Sequence, residues 1–185
     1  MKNVVVVTSS PRKGGNSDTL AMSFAEGAKA AGHNVKIIAL RDLNLKFCMG
    51  CLFCQVHDRC VLSDEMNGLY PDFEEADVLV FATPVYYYSI SGQLKTFLDR
   101  LNPLYSKKVK FRDVYLLASS ADNEEKAMDV SVSVIQGWVD CFEGVKIAGV
   151  LRGTGVGAKG EIEKTEFPAD AYTMGENIEN EDNQE

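Results

Sequence analysis

Short hydrophobic runs alternate along the chain with segments in which hydrophobic residues recur every three or four positions. The runs are continuous and rich in β-branched residues, as is typical of strands buried on both faces of a sheet. Five such runs predict five strands: Val4 to Thr8, Val35 to Leu40, Val78 to Ala82, Val114 to Ala118 and Ile147 to Leu151.

The segments between these runs have the spacing of amphipathic helices. The first carries an apolar stripe from Leu20 to Ala28, and Gly32 suits the left-handed conformation that often follows a helix. Further helices are predicted over residues 65–73, 93–101 and 124–142. Alternating strands and helices predict an α/β fold, a doubly wound parallel sheet with helices on both faces. Ligands of such sheets bind beyond the carboxyl ends of the strands, so the loops after strands one, three and four form the candidate site.

The loop after the first strand has the composition of a phosphate site. Residues 8–19 bring hydroxyl groups, an amide, two glycines and two cations to the start of a helix. Backbone N–H groups and the positive end of the helix dipole bind phosphate at such a place. The glycine spacings of a Walker loop and of the dinucleotide fingerprint are both absent. The alternative interpretation is a surface turn in which Ser17 is the N-cap of the helix.

The loop after the third strand contains three consecutive tyrosines, Tyr86, Tyr87 and Tyr88. Three adjacent side chains in a loop do not all face a core. Flat aromatic walls together with backbone N–H groups suit a planar ring system with polar edges. The alternative is an aromatic patch at an interface between subunits, and the two roles are compatible.

Both loops resemble one family. Ser10-Pro11-Arg12 followed by Gly15-Asn16-Ser17 is similar to the phosphate loop of the flavodoxin-like NAD(P)H-dependent FMN reductases, although Ser9 stands where that pattern usually has glycine. The segment from Ala82 to Arg100 resembles the signature of the same family after its third strand. The resemblance implies a flavodoxin-like sheet of five parallel strands in the order 2-1-3-4-5. It also implies that Ser10, Arg12, Asn16 and Ser17 bind the FMN phosphate. A second set would line the isoalloxazine ring: Thr83, Pro84, Val85, Tyr86, Tyr87 and Tyr88.

Two further segments at this edge of the sheet are less specific. Ser119 and Ser120 follow the fourth strand, where they would contact the flavin, but small polar residues are equally typical of helix caps. The glycine-rich run from Gly153 to Gly157 is interpreted either as a lid or as a plain connection.

Four cysteines stand in a C-x2-C-x2-C-x5-C pattern at Cys48, Cys51, Cys54 and Cys60. Four thiolates so closely spaced can hold a [4Fe–4S] cluster or structural zinc, and they can also be redox-active or merely packed thiols. The spacing resembles that of the iron–sulfur flavoproteins, a branch of the same family in which a cluster exchanges electrons with FMN, often across a subunit boundary. A fifth cysteine, Cys141, is predicted to lie in the core.

Composition and charge narrow the function further. The net charge of −8 argues against nucleic acid as a partner, because phosphate binding needs clustered cations. The N-terminal apolar run is too short for a signal peptide or a membrane span, so a cytoplasmic location and no membrane association are expected. Residues 1–165 are expected to form one FMN-binding domain with a cysteine-rich loop at 47–61. Residues 166–185 are expected to be an acidic, flexible tail.

The resemblance implies an oxidoreductase that passes electrons from NAD(P)H through FMN to a quinone, another small acceptor or a redox protein. The flavin carries the chemistry, so no catalytic acid or base is assigned. The alternative is a flavodoxin-like electron carrier without turnover of its own. A homodimer or homotetramer is expected.

Overall fold

The computed structural model describes residues 1–179, and its centre is a five-stranded, wholly parallel sheet in the order β2-β1-β3-β4-β5. This confirms the predicted fold and strand order. Each strand begins and ends within two residues of its prediction. The strands are β1 (Asn3–Thr8), β2 (Asn34–Ala39), β3 (Val78–Pro84), β4 (Asp113–Ser119) and β5 (Lys146–Gly153).

Helices cover both faces of the sheet. The predicted helix over residues 124–142 is shorter than expected, because its first turn is a 3₁₀ segment, Glu125–Met128, and its α-helix ends at Val139. Cys141 lies beyond that end and is exposed, so the prediction of a core cysteine is wrong. The α-helices are α1 (Asn16–Ala30), α2 (Phe53–His57), α3 (Tyr70–Glu74), α4 (Gly92–Arg100), α5 (Asp129–Val139) and α6 (Phe167–Glu176).

Two hydrophobic cores lie on opposite faces of the sheet. One is formed with α3, α4 and α5 and includes Phe73, Phe97 and Phe111. The other is formed mainly with α1 and α6. Central strand β3 is buried along its whole length, which explains the uninterrupted apolar run from Val78 to Ala82.

Helix α6 corrects the expectation of a flexible tail from residue 166. It packs along α1 at two glycines: a Cβ on Gly27 would overlap the carbonyl oxygen of Tyr172, and one on Gly175 would overlap that of Phe24. Ile178 beyond the helix is also buried. The contact relies on small residues rather than on a long apolar stripe, and for this reason the hydrophobic pattern did not reveal it. The rest of the predicted tail, residues 180–185, lies outside the described residues.

No helix within residues 1–179 is both long enough and apolar enough to cross a bilayer.

Candidate functional site

The three loops predicted to form the site meet at the carboxyl edge of the sheet, because β1, β3 and β4 are neighbours. Backbone hydrogen bonds join them directly. Ser9 N–H donates to the carbonyl of Ala82 at 2.9 Å, and Val85 N–H donates to that of Ser119 at 2.8 Å. The structure therefore brings the separate segments of the predicted site together.

The first loop, residues 9–15, leads directly into the start of α1. Gly15 is the N-cap of α1 and offers no side-chain acceptor. The first N–H groups of a helix have no partner within the helix, and they carry the positive end of its dipole. The Ser17 hydroxyl in the same turn is buried and finds no hydrogen-bond partner among the described residues. Free N–H groups and an unpaired buried hydroxyl are the features expected of an anion site.

Asn16, predicted to bind the phosphate, makes its side-chain hydrogen bonds to the glycine-rich segment in this structure. Its amide nitrogen donates to the carbonyls of Val156 (3.0 Å) and Ala158 (2.9 Å), and its amide oxygen accepts from Ile162 N–H at 3.4 Å. Both amide hydrogens and the oxygen are thus engaged by the chain around the glycine-rich segment, residues 153–160. Asn16 holds that segment against the first loop, so in this structure the segment is a connection fixed by hydrogen bonds.

Arg12 and Ser10 support the same arrangement. Arg12 Nη2 donates to the carbonyl of Gly157 at 3.3 Å. The Ser10 hydroxyl accepts from Arg12 N–H and donates to the Arg12 carbonyl, which folds the loop tightly. Gly15 is required beneath this turn, because a Cβ there would lie 2.6 Å from Ser10 Oγ.

Sequence reasoning missed a buried carboxylate under the first loop. Asp18 Oδ1 accepts from Thr8 Oγ1 at 2.8 Å and from Arg41 Nη1 at 2.9 Å, and Oδ2 accepts from Gly14 N–H at 2.8 Å. One side chain therefore fixes the end of β1, the first loop and the segment after β2. An acidic residue in the first turn of a helix was the available signal, but its partner Arg41 is distant in sequence.

A second missed residue is Lys159 of the glycine-rich segment. Its Nζ lies beside Gly14, 3.7 Å from the position that a Cβ would take there. It adds a third cation to the two that the first loop itself supplies, Arg12 and Lys13. The sequence offered no signal for this proximity, because it depends on how the glycine-rich segment crosses the loop.

The aromatic loop, residues 85–91, has a strained tip. Tyr86 and Ser89 pair through two backbone hydrogen bonds, and Tyr87 and Tyr88 between them both have positive φ angles, 50° and 63°. Such two-residue turns favour Asn-Gly, and a left-handed conformation costs other residues roughly 1–2 kcal/mol each. Tyr87 is fully exposed and Tyr88 largely so. Strained, exposed aromatic residues are typical of a binding surface.

A chain of hydroxyl groups lies beneath the aromatic loop. Ser91 Oγ caps α4 and donates to Ser9 Oγ at 2.9 Å, and Ser9 Oγ donates to the carbonyl of Ala82 at 3.0 Å. Thr83 Oγ1 accepts from Ser91 N–H at 3.0 Å. Ser9, which departs from the family pattern, therefore tethers the two loops together. Thr83 and Pro84, at the end of β3, are both buried.

The loop after β4 is held mainly through its backbone. Ser120 N–H donates to the carbonyl of Gly153 at 2.8 Å, and Ser120 Oγ accepts from Asp122 N–H at 3.1 Å. Ser119 and Ser120 are both buried. Ser119 lies beside Val85, and the Ser120 hydroxyl shapes the turn that follows.

The cysteine loop, residues 47–61, lies at the other end of α4. Cys48 and Cys51 are exposed, Cys60 is half-buried and Cys54 is buried. The Cys54 sulfur accepts from Asn102 Nδ2 at 3.2 Å. Burial raises the pKa of the Cys54 thiol and the Asn102 hydrogen bond opposes the rise. The nearby Cys60 and Cys48 sulfurs raise this pKa further, because neighbouring thiolates repel each other.

The donor set of this loop fits a sulfur-bound metal centre. Three of its thiols are close enough to interact, and Gly50 N–H, at a left-handed position, donates to Cys48 Sγ at 3.5 Å. Within residues 1–179, no group of three or more His, Cys, Asp or Glu side chains is already arranged around a single metal position. The chemistry of the ligands is therefore present without a closed coordination geometry.

Comparison with known proteins assigns this arrangement to a family. The family model described as NADPH-dependent FMN reductase matches residues 2–140. An iron-sulfur flavoprotein from Archaeoglobus fulgidus is 28% identical over 155 residues, which are 82% of this chain and 68% of that protein. An iron-sulfur flavoprotein from Methanocaldococcus jannaschii is 32% identical over 101 residues, 55% of this chain and 52% of that protein.

Solved structures share the fold. An NAD(P)H:quinone oxidoreductase from Methanothermobacter marburgensis superposes with a TM-score of 0.73 at 18% identity, over 96% of this chain and 99% of that one. An FMN-dependent NADH-azoreductase from Bacillus anthracis, solved in complex with FMN, superposes with a TM-score of 0.65 at 17% identity, over 95% and 96% of the two chains.

Proposed function

The chain belongs to the NADPH-dependent FMN reductase family and is an NAD(P)H-dependent FMN oxidoreductase, and from this premise we propose which electron path it serves. Electrons pass from NAD(P)H through FMN to a quinone, another small acceptor or a redox protein. The observation that carries the proposal is the anion site at the start of α1, tethered through Ser9 to the aromatic loop. Together the two loops offer a phosphate cradle and a flat aromatic surface, the two ends that an FMN molecule presents.

The residues divide into those that bind and those that position. Ser17, the N–H groups of the first turn and the cations Arg12 and Lys159 bind the phosphate. Asn16 and Asp18 hold the first loop in shape for it.

On the flavin side, the backbone and side chains of residues 85–88 face the isoalloxazine ring, and Ser119 and Ser120 form the neighbouring edge. Bound FMN supplies hydride acceptance from a nicotinamide and onward transfer of one or two electrons. The protein supplies orientation and exclusion of water.

The four cysteines hold a [4Fe–4S] cluster in this proposal. Two observations support it: the similarity to the iron-sulfur flavoproteins, and the interacting thiols around Cys54. The alternatives are structural zinc and redox-active thiols without a metal. Analysis for iron, sulfide and zinc separates these two from the cluster.

A homodimer or homotetramer completes the proposal. Within one chain, the cysteine loop and the aromatic loop lie at opposite ends of α4, whose nine residues span about 13 Å. The cysteine loop also exposes the apolar side chains Phe47, Met49, Leu52 and Val56. An exposed apolar surface of this kind is typical of a subunit contact, which would bring the cysteine loop of one copy towards the flavin of another.

The deciding experiment uses protein purified without oxygen. FMN, iron, acid-labile sulfide and zinc are quantified, and the visible spectrum is followed while NADH or NADPH is added. Bleaching of the flavin by either nucleotide supports the reductase, whereas a flavin that neither nucleotide reduces identifies an electron carrier. Flavin without iron would contradict the cluster but leave the FMN assignment intact.

A further inference from the structure

The glycine-rich segment ends in a tight turn of four residues with Lys159 in its second position. Glu161 N–H donates to the Ala158 carbonyl at 3.3 Å and closes the turn. Gly160 has φ 83° and ψ 0°, the values of the third residue of a type II turn, where glycine is favoured. The sequence Lys159-Gly160 therefore places a lysine at an exposed corner of the chain.

The side chain of Glu161 folds back over the residues that precede this corner. Its Oε2 accepts from Gly157 N–H at 2.7 Å and from Ala158 N–H at 2.8 Å. The hydrogen bonds from Ala158 and Gly157 hold the pKa of the Glu161 carboxyl below its ordinary value. An ionised acceptor makes both contacts charge-assisted, so one carboxylate oxygen fixes two successive peptide groups directly before Lys159.

The first loop and the start of α1 hold the same stretch of chain through its carbonyl groups. The side chains of Asn16 and Arg12 donate to the carbonyls of residues 156–158 at distances between 2.9 and 3.3 Å. The N–H groups of this stretch are bound by one carboxylate and its carbonyls by two other side chains. Its backbone is therefore fixed from two directions where it leads into Lys159.

Lys159 lies beside the first loop as a result. Its Cε and Nζ are 3.4 Å and 3.7 Å from the position that a Cβ on Gly14 would take. Gly14 directly precedes Gly15, the N-cap of the helix whose first N–H groups form the anion site. A lysine side chain is long and flexible, so the direction in which it reaches depends on how firmly its backbone is held.

We propose that Glu161 is a positioning residue of the FMN site: its carboxylate fixes the turn that brings Lys159 to the FMN phosphate, and it thereby favours FMN over riboflavin, which has no phosphate. The inference rests on the proposed function, since it takes the start of α1 to bind that phosphate. The sign of the effect is diagnostic. Acting by charge alone, a carboxylate near a phosphate weakens FMN binding, whereas a positioning carboxylate strengthens it.

The test measures the dissociation constants of FMN and riboflavin by flavin fluorescence titration of the full chain freed of flavin. Glu161→Ala removes both the charge and the hydrogen-bond acceptor, whereas Glu161→Gln removes the charge and keeps an acceptor oxygen. The matched control is Glu163→Ala, which removes a carboxylate from an exposed position two residues further along the chain.

Glu161→Ala should weaken FMN binding by about tenfold, the effect of losing one charge-assisted contact to the phosphate, and should leave riboflavin binding unchanged. Glu161→Gln and Glu163→Ala should bind FMN at least as tightly as the wild type. The conservative variant thus restores what the alanine variant loses, which an effect of charge alone would not produce.

A double-mutant cycle tests whether Glu161 acts through Lys159. Lys159→Gln should also weaken FMN binding by about tenfold, because it removes a cation from the phosphate. Glu161→Ala added to Lys159→Gln should cause no further loss, since the carboxylate then has no lysine to position.

The outcomes separate this inference from the proposed function. The inference is overturned, and the proposed function stays intact, if Glu161→Ala binds FMN as tightly as the wild type, weakens riboflavin equally, or adds its full loss to that of Lys159→Gln. A wild type that binds riboflavin as tightly as FMN overturns the phosphate site itself and the inference with it. If Glu161→Ala does not fold, Glu161→Asp replaces it: the shorter side chain keeps the charge but withdraws the acceptor, and unchanged FMN binding would overturn the inference.

Discussion

Removing the unpaired hydroxyl of Ser17 should change the stability of the FMN-free protein and its affinity for FMN in opposite directions. Burying a hydroxyl without a partner costs about 1–3 kcal/mol, which the protein without ligand carries at the start of α1. Ser17→Ala removes the hydroxyl and hardly changes the volume. We expect the free energy of unfolding of the FMN-free protein to rise by about 1 kcal/mol.

FMN binding should change in the other direction. A hydrogen bond to a charged phosphate contributes about 1.5–3 kcal/mol, and 1.4 kcal/mol corresponds to a factor of ten in affinity. Ser17→Ala should therefore weaken FMN binding by roughly tenfold to a hundredfold. Urea unfolding of the FMN-free protein and calorimetric titration with FMN measure the two effects separately.

Ser131 provides the matched control. Its hydroxyl on α5 is also buried and without a partner among the described residues, but it belongs to none of the loops of the candidate site. Ser131→Ala should stabilise the FMN-free protein by a similar amount and leave the affinity for FMN unchanged. The reasoning is refuted if Ser17→Ala binds FMN as tightly as the wild type, or if both variants weaken binding equally.

Three further predictions test other parts of the structure. Gly27→Ala should destabilise the protein by about 2 kcal/mol in urea, because its Cβ would overlap α6, whereas Gly137→Ala, in open space on α5, should stabilise it by up to about 1 kcal/mol. Asp64, which pairs with the buried Arg100 at the base of the cysteine loop, has a lowered pKa, so its contribution is complete above the ordinary value near 3.9 and is lost as the pH falls through its lower folded value. The difference in unfolding free energy between the wild type and Asp64→Asn should thus be constant from about pH 5 to about pH 7 and should shrink at lower pH. A difference that does not depend on pH would contradict the pairing with Arg100. Tyr88→Gly should relieve the left-handed strain and raise the unfolding free energy by roughly 1 kcal/mol while it weakens FMN binding, and unchanged binding would remove this tyrosine from the site.

The sheet was predictable from the sequence because strands that are buried on both faces are continuous apolar runs. Strand β3 is apolar from Val78 to Ala82, and the alternation of such runs with helices predicted the parallel sheet and the loops of the site. The strand order came from the resemblance to the FMN reductases, and the structure confirms it. The start of α1 was predictable for a similar reason, since an anion site needs glycine, hydroxyl and cationic residues within one short segment.

Polar partnerships were not predictable in this way. Asp18 and Arg41 are each unremarkable in sequence, and their pairing exists only because β2 lies beside β1. Asn16 fits a phosphate ligand by its position, yet its amide is used by the glycine-rich segment more than 140 residues later. A hydrophobic pattern indicates that a residue is buried. It does not indicate the hydrogen-bond partner of a polar residue, because that depends on which distant segment packs beside it. Helix α6 was hidden for the same reason, because the glycines on which it packs have no hydrophobic signal of their own.

Helix α4 links the first loop to the cysteine loop. Its first turn is capped by Ser91, whose hydroxyl bonds Ser9 of the first loop, and its last residue, Arg100, closes the base of the cysteine loop. The apolar face between them is fixed in the core by Leu94 and Phe97. A packed helix neither stretches nor bends easily, so the two ends of α4, about 13 Å apart, keep a fixed spacing. In the proposed assembly, electron exchange between the flavin and the cysteine group therefore depends mainly on how closely a second copy approaches. In the proposed assembly, dilution of the protein below the dissociation constant of the subunit contact should therefore slow reduction of the cysteine-bound centre by NAD(P)H, while the reduction of the flavin itself stays unchanged.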